Sequence, residues 1–155
     1  MFDIKFKIAT DTASISIFDE DALLHRTNAS ADWWADPDEE VLEVNRGNVI
    51  FVDLGTDGTY TVYVHLGAHQ VETKHVMAQI DARVKCLSGH LFFGAGEDVI
   101  SAGGGPGTNL GGQFLNVSPG VYHVTLARIG RFELDISLGA VAGMAKNSIQ
   151  NSLTL

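Results

Sequence analysis

The sequence has little cysteine and little positive charge, and it contains no long hydrophobic run. Its one cysteine, Cys86, cannot form a disulfide within the chain, and this favours a cytoplasmic location. No apolar stretch approaches the roughly 18–20 residues of a membrane helix, and the alternating start of the chain predicts no secretory signal. Ten lysines and arginines stand against nineteen aspartates and glutamates, a net charge of −9. We therefore expect neither nucleic acid nor a membrane as the partner.

Alternation of apolar and polar residues dominates what is present. It is clearest over residues 2–8, 60–66 and 132–138, where every second residue is apolar, the pattern of half-buried strands. Turn signals recur every 8–12 residues, which predicts about nine or ten strands. We expect one all-β domain over residues 1–138, an antiparallel β-sandwich. The alternative is a jelly-roll or cupin-like barrel.

Local patterns add three expectations to this fold. The short connection Thr10-Asp11-Thr12 between two alternating runs predicts an N-terminal hairpin. Residues 41–46, with the sequence VLEVNR, read as a further strand. In the C-terminal tail, residues 139–155, apolar residues recur every four positions, so a short helical or frayed end is expected there.

Negative charge is concentrated near the start of the chain. Residues 1–53 carry twelve acidic and four basic residues, a balance of −8, whereas residues 54–155 carry seven and six, a balance of −1. Nine of the acidic residues lie within residues 19–43, where Arg26 is the only lysine or arginine. Both tryptophans of the chain belong to the same stretch.

This combination predicts a docking surface for a basic protein. Tryptophan is frequent among the residues that dominate interface energies, and an acidic rim attracts a basic partner while rejecting others. The alternative is that each tryptophan fills a gap at the edge of the sandwich while the carboxylates are solvated. We expect a non-enzymatic inhibitor- or immunity-type domain without a cofactor or catalytic residues. Its predicted partner-binding residues are Asp32, Trp33, Trp34, Asp36, Asp38, Glu39 and Glu40.

Histidines offer a competing interpretation. Gly112, Gly120 and His123 have a spacing that resembles the second half of the motif of the cupin family, whose barrels often hold a metal through histidines and a glutamate. The resemblance implies a barrel enzyme that binds a metal or a small ligand. Its candidate ligands in this chain are His65, His69, Glu72 and His123.

A second resemblance supports the binding domain. The turn Ser118-Pro119-Gly120-Val121-Tyr122 leads into a long predicted strand, and a turn centred on Gly89 lies upstream. This order of elements resembles that of the competence protein J family, small acidic bacterial proteins that inhibit a nuclease. The resemblance implies a non-enzymatic β-sandwich that blocks a basic enzyme, and it identifies no individual functional residue.

Overall fold

Ten strands form two packed sheets in the computed structural model, which describes residues 2–67 and 75–155. The first sheet contains, in spatial order, β1 (Phe2–Thr10), β4 (Gly58–Leu66), β9 (Glu133–Val141), β8 (Gly120–Gly130) and β5 (Ala78–Cys86). The second contains β10 (Leu153–Thr154), β3 (Val49–Asp53), β2 (Ser14–Phe18), β6 (His90–Ala95) and β7 (Gln113–Asn116). The predicted all-β sandwich is confirmed. Within the described residues the sheets do not close into the alternative barrel.

The main core lies between the two sheets. Tyr60, Val62 and Val64 of β4 are fully buried, as their alternation predicts, and they belong to the same core as Ile15 and Ile17 of β2. Each such buried side chain contributes about 1.5–3 kcal/mol before the entropy of folding is counted. The core therefore sets which face of each strand points inward.

Both sheets are mixed, so the antiparallel pairing expected for the sandwich holds for most neighbouring strands but not for all of them. Among the described strands six pairings are antiparallel, whereas β4 with β9 and β3 with β10 are parallel. Alternation indicates the face of the sheet on which a side chain lies, and parallel and antiparallel strands show the same alternation. The direction of a neighbouring strand is therefore not contained in the pattern.

The predicted N-terminal hairpin is wrong. β1 pairs with β4, whereas β2 pairs with β3 and β6 in the other sheet, so the connection between them crosses from sheet to sheet. The Glu97 carboxylate holds this corner and accepts hydrogen bonds from the Thr10 hydroxyl (2.8 Å), the Asp11 backbone N–H (2.7 Å) and the Thr12 hydroxyl (2.8 Å). The determinant of the corner is thus a distant residue.

A layer of helices covers the outer face of the second sheet. It consists of the short 3-10 helices Glu20–Ala22, Leu24–Arg26 and Trp33–Ala35 and the α-helix α1 (Pro37–Asn45). No helix in residues 2–67 and 75–155 is long and apolar enough to span a membrane.

Helix α1 includes most of the residues predicted as the strand 41–46, and its start explains the difference. The Asp36 side chain caps the helix by accepting a hydrogen bond from the Asp38 backbone N–H (3.0 Å), and Pro37 occupies the first turn. Acidic residues in that turn are also favoured by the helix dipole. These starting signals outweigh the short alternation that follows them.

The C-terminal tail is extended and packed, which corrects the expectation of a helical or frayed end. Residues 139–141 complete β9, and β10 pairs with β3. Between them, the Asn147 side chain accepts a hydrogen bond from the Arg83 N–H (2.8 Å) and donates to the carbonyls of Val44 (2.7 Å) and Arg83 (2.9 Å). Gly143, with φ +98°, disfavours a helix, and the side-chain bonds hold the extended form.

Candidate functional site

The acidic segment, residues 19–43, is held against the second sheet by a core of its own. The sheet contributes Phe18, Val49, Phe51 and Phe92, and the helical layer contributes Leu23, Trp33 and Val44. All seven are buried. The carboxylates of the segment therefore project from a packed layer rather than from a long irregular loop.

Trp33 lies inside this layer and supports it from within. It is 6% exposed, and its indole N–H donates a hydrogen bond to the Ile100 carbonyl (2.8 Å). The Arg26 guanidinium stacks over the ring at 4.3 Å from its centroid. Of the two expectations for this residue, packing at the sandwich edge describes its environment.

Trp34 is only half-buried. Its ring stacks on Phe51 of β3 with 5.4 Å between the centroids. Its indole nitrogen is itself buried and has no hydrogen-bond partner among the described residues, so the exposed part of Trp34 is other atoms of the residue. Trp34 is thus the tryptophan of the pair that reaches the surface.

Three of the nine carboxylates in the segment are buried, and Asp19 is the first. It accepts hydrogen bonds from the backbone N–H groups of Leu87 (2.9 Å) and Ser88 (2.8 Å) and from the Cys86 thiol (3.3 Å). Burial by itself raises the pKa of Asp19, but the hydrogen bonds outweigh it and lower the pKa below its ordinary value. Asp19 closes the turn between β5 and β6.

Glu43 is the second buried carboxylate and is fully enclosed. It accepts hydrogen bonds from Arg26 (Nε to Oε2, 3.0 Å) and Asn48 (Nδ2 to Oε1, 3.0 Å), and its Oε2 also contacts Nε2 of His25. Burial raises the pKa of Glu43, yet the bonds from Arg26, Asn48 and His25 prevail and lower it. Glu43 is therefore a structural anion.

Glu40 is the third and is 7% exposed. Burial raises its pKa, a hydrogen bond that it accepts from the Ser152 hydroxyl partly offsets this, and the charge of Asp53 adds to the rise. Its Oε1 atom has no hydrogen-bond partner in the described part of the chain. Of the predicted partner-binding residues, Glu40 thus faces inward together with Trp33.

The four remaining predicted carboxylates form the candidate surface. Asp32, Asp36 and Asp38 are exposed, and Glu39 is half-buried in an ion pair with Arg26 (2.6 Å). Asp32, Asp36 and Glu39 line a groove of about 620 Å³, while Asp38 follows in the first turn of α1. We call the four carboxylates the acidic surface.

A second recess contains two acidic residues of the segment that the sequence pattern did not single out as partner-binding residues. Glu20 and Asp21 line it together with His90 and Phe114, in a volume of about 390 Å³. Phe114 is 43% exposed. The available signal was the alternation of β7, which places Phe114 on the face opposite the buried Leu115.

The candidate metal ligands do not meet in the described structure. His65 of β4 binds Asp3 (2.8 Å) and Asp135 (2.9 Å), whereas His123 lies on β8, beyond the intervening β9, with Asp81 at 3.1 Å. Residues 2–67 and 75–155 contain no group of three His, Cys, Asp or Glu side chains that could hold a metal ion. The other two candidates, His69 and Glu72, lie outside the described residues.

The acidic surface sits on a fold that two solved structures share. The crystal structure of ComJ, inhibitor of the DNA degrading activity of NucA, from Bacillus subtilis, has a TM-score of 0.57 at 8% identity, covering 89% of this chain and 96% of that one. The product of crocagin biosynthetic gene J has a TM-score of 0.59 at 15% identity, covering 92% of this chain and 100% of the other. At these identities the likeness establishes a common fold, and the resemblance to the competence protein J family is confirmed at that level.

The sequence itself places the chain in a family. No curated protein matches it in sequence. A family model described as a family of unknown function, DUF6386, matches residues 2–155, which is nearly the whole chain. The chain therefore belongs to the DUF6386 family.

Proposed function

We propose that this protein is a non-enzymatic, cytoplasmic bacterial inhibitor or immunity-type protein that binds a basic protein through the acidic surface. The observation that carries the proposal is the group of three exposed aspartates, Asp32, Asp36 and Asp38, on a layer packed to the sheet by Trp33. A preorganised group of like charges lowers the ordering cost of binding an oppositely charged partner. The fold is shared with ComJ, an inhibitor of the DNA degrading activity of NucA, and this favours an inhibitor over an enzyme.

Apolar contacts are available beside the charges. Leu24 and Leu42 of the helical layer are 57% and 39% exposed, and Leu42 lies one turn after Asp38 on α1. Trp34 adds part of an indole. Charges would speed the encounter, and these side chains would supply the apolar area that slows dissociation.

The test begins with capture of the partner. The immobilised protein is incubated with an extract of the source bacterium at low and high salt, and bound proteins are identified by mass spectrometry. The binding of the purified partner is then measured by calorimetry. We expect a basic protein whose affinity falls about tenfold or more between roughly 50 and 500 mM NaCl.

Two triple variants distinguish an effect of the acidic surface from an effect of the protein's net charge. Asp32→Asn/Asp36→Asn/Asp38→Asn removes three charges of the acidic surface and keeps an N-cap, because asparagine caps helices as well as aspartate. Asp11→Asn/Asp57→Asn/Glu133→Gln removes three exposed charges elsewhere. We expect a loss of at least about thirtyfold for the first variant and little for the second. Equal losses, or a partner that is not basic, would refute the proposal.

The inhibitory role has its own assay. The catalytic activity of the captured partner, for a nuclease the cleavage of plasmid DNA, is followed while wild-type protein is added. Inhibition at a molar ratio near one supports the proposal. Tight binding without inhibition would leave a binding protein of another kind.

A further inference from the structure

A groove of about 720 Å³ lies at the opposite end of α1 from the acidic surface. It is formed where the end of α1 meets the end of β5, the start of β8 and the tail. Arg46, Lys85 and Lys146 supply its charged wall, and Leu87, Val121 and Met144 supply apolar surface. Its volume is in the range of sites that bind small molecules, about 300–1,000 Å³.

The charge of the groove contrasts with that of the molecule. Three of the ten lysines and arginines of a chain with net charge −9 converge here, and none of the described residues that line the groove carries a carboxylate. None of the three cations forms an ion pair with any residue that the structure describes. Unpaired cations beside apolar walls favour an anion that also carries an apolar body.

The C-terminal end of α1 does not repel an anion bound in the groove. The last carbonyls of a helix carry partial negative charge when they lack partners. Here Leu42 O accepts from Arg46 N, Glu43 O from Asn48 N, Val44 O from Gly47 N, and Asn45 O from Asn147 N. Because these carbonyls are satisfied, the three cations dominate the local field.

The groove is also preformed. Gly47, with φ +71°, packs so closely on the tail that a Cβ atom there would lie 1.9 Å from the Ala145 carbonyl oxygen. The Gly47 carbonyl accepts a hydrogen bond from the Lys85 N–H (2.9 Å), and the Arg83 guanidinium contacts the Met144 carbonyl (3.4 Å). Helix, strand and tail are thus tied together around the groove.

Apolar side chains remain uncovered at its rim. Leu87 is 53% exposed and Met144 is 66% exposed. An exposed methionine beside a leucine offers an adaptable surface for an apolar ligand. We propose that this groove binds a small organic carboxylate with an apolar body, its carboxylate held by Lys85, Lys146 and Arg46 and its body packed on Leu87, Val121 and Met144.

The test uses a probe of this chemistry. Binding of 1-pyrenebutyrate is followed by the fluorescence of the pyrene group. The methyl ester of 1-pyrenebutyrate is the uncharged control ligand. Lys85→Gln and Lys146→Gln are each expected to weaken binding of the acid about tenfold. Lys7→Gln is the matched control, because Lys7 lies on β1, the opposite edge strand of the same sheet. Thermal unfolding followed by circular dichroism verifies that the variants fold.

Location is checked by amide chemical shifts. Shifts caused by the acid are expected to cluster at residues 85–87, 120–121 and 144–146. Equal binding of the ester, equal effects of Lys7→Gln and Lys85→Gln, or shifts elsewhere would overturn the proposal. So would a hexaglutamate peptide that binds the same residues more tightly than the acid. The acidic-surface variant Asp32→Asn/Asp36→Asn/Asp38→Asn is expected to bind 1-pyrenebutyrate with the affinity of the wild type. Failure of one proposal can therefore be distinguished from failure of the other.

Discussion

Arg26 organises the acidic segment at the scale of single residues. Its guanidinium stacks on Trp33, bonds to the buried Glu43 and pairs with the half-buried Glu39. One cation thus compensates an interior charge and holds a surface charge in place. Because a buried carboxylate needs such compensation and a solvated one does not, the two glutamates are expected to respond differently to substitution.

Glu43→Gln is expected to lower the free energy of unfolding by about 2 kcal/mol at neutral pH, because it removes the charge that Arg26 faces in the interior. The pKa of Glu43 is lowered in the folded protein, so its contribution is complete above the ordinary glutamate pKa and is lost as the pH falls. The difference between wild type and variant should therefore shrink below about pH 4.5. Urea unfolding at neutral and acidic pH measures both values.

Glu39→Gln is the control for this comparison. Its side chain is 43% exposed and binds the same guanidinium, so the expected cost is below about 1 kcal/mol. If both variants lower the free energy of unfolding by the same amount at neutral pH, burial of the carboxylate does not determine how much it contributes to stability.

At the scale of elements, the tail acts as a brace between the helical layer and the first sheet. The Asn147 side chain bonds to Val44 of α1 and to both backbone groups of Arg83 on β5. The free edge of β5 is thereby covered, which keeps it from pairing with another chain.

Asn147→Ala is expected to destabilise the protein by about 1–3 kcal/mol, because it leaves backbone groups at Arg83 and Val44 without their partners. Hydrogen exchange of the Arg83 amide should accelerate by a larger factor than that of amides in β4. Ser148→Ala, at the adjacent exposed position, is the control and should leave both quantities unchanged. Unchanged exchange at Arg83 in Asn147→Ala would mean that the tail does not protect this edge.

The strands were largely predictable, whereas their partners were not. Alternation placed Tyr60, Val62 and Val64 on the buried face correctly, because a strand's period of two is local information. The sheet-crossing corner at Thr10 depends on Glu97, and the extended tail depends on contacts of Asn147 with α1 and β5. Such determinants come from residues far apart in the chain, so a local pattern cannot report them.

In the candidate site, too, the sequence indicated the region but not the contacts made by distant residues. Composition located the acidic segment but could not separate Asp32, which is exposed, from Glu40, which is buried. The burial of Trp33 likewise depends on Ile100, whose carbonyl accepts its indole N–H. Charge density along a sequence thus indicates a region, and the folded layer decides which of its side chains face solvent.

At the scale of the whole molecule, the two cores share strands and are expected to unfold together. β2, β3 and β6 contribute residues both to the core between the sheets and to the core beneath the helical layer. Both tryptophans lie in that layer, so their fluorescence reports on it, whereas far-ultraviolet circular dichroism reports mainly on the strands. We expect the two urea transitions to coincide. An earlier fluorescence transition would show that the layer detaches while the sandwich persists.

The molecule is also electrically divided along α1. The helix starts in the acidic surface and ends at the three cations of the groove. A basic protein and an organic anion would therefore approach opposite ends of one nine-residue helix without competing for the same side chains.

The single thiol adds a practical consequence. Cys86 is 1% exposed, and burial together with the neighbouring Asp19 raises its pKa to about 11, so the native state resists alkylation. Modification then requires the turn closed by Asp19 to open. The rate at which a thiol reagent labels Cys86 therefore measures how often that end of the sandwich opens. The measurement needs no engineered cysteine, because the native residue is the labelling site.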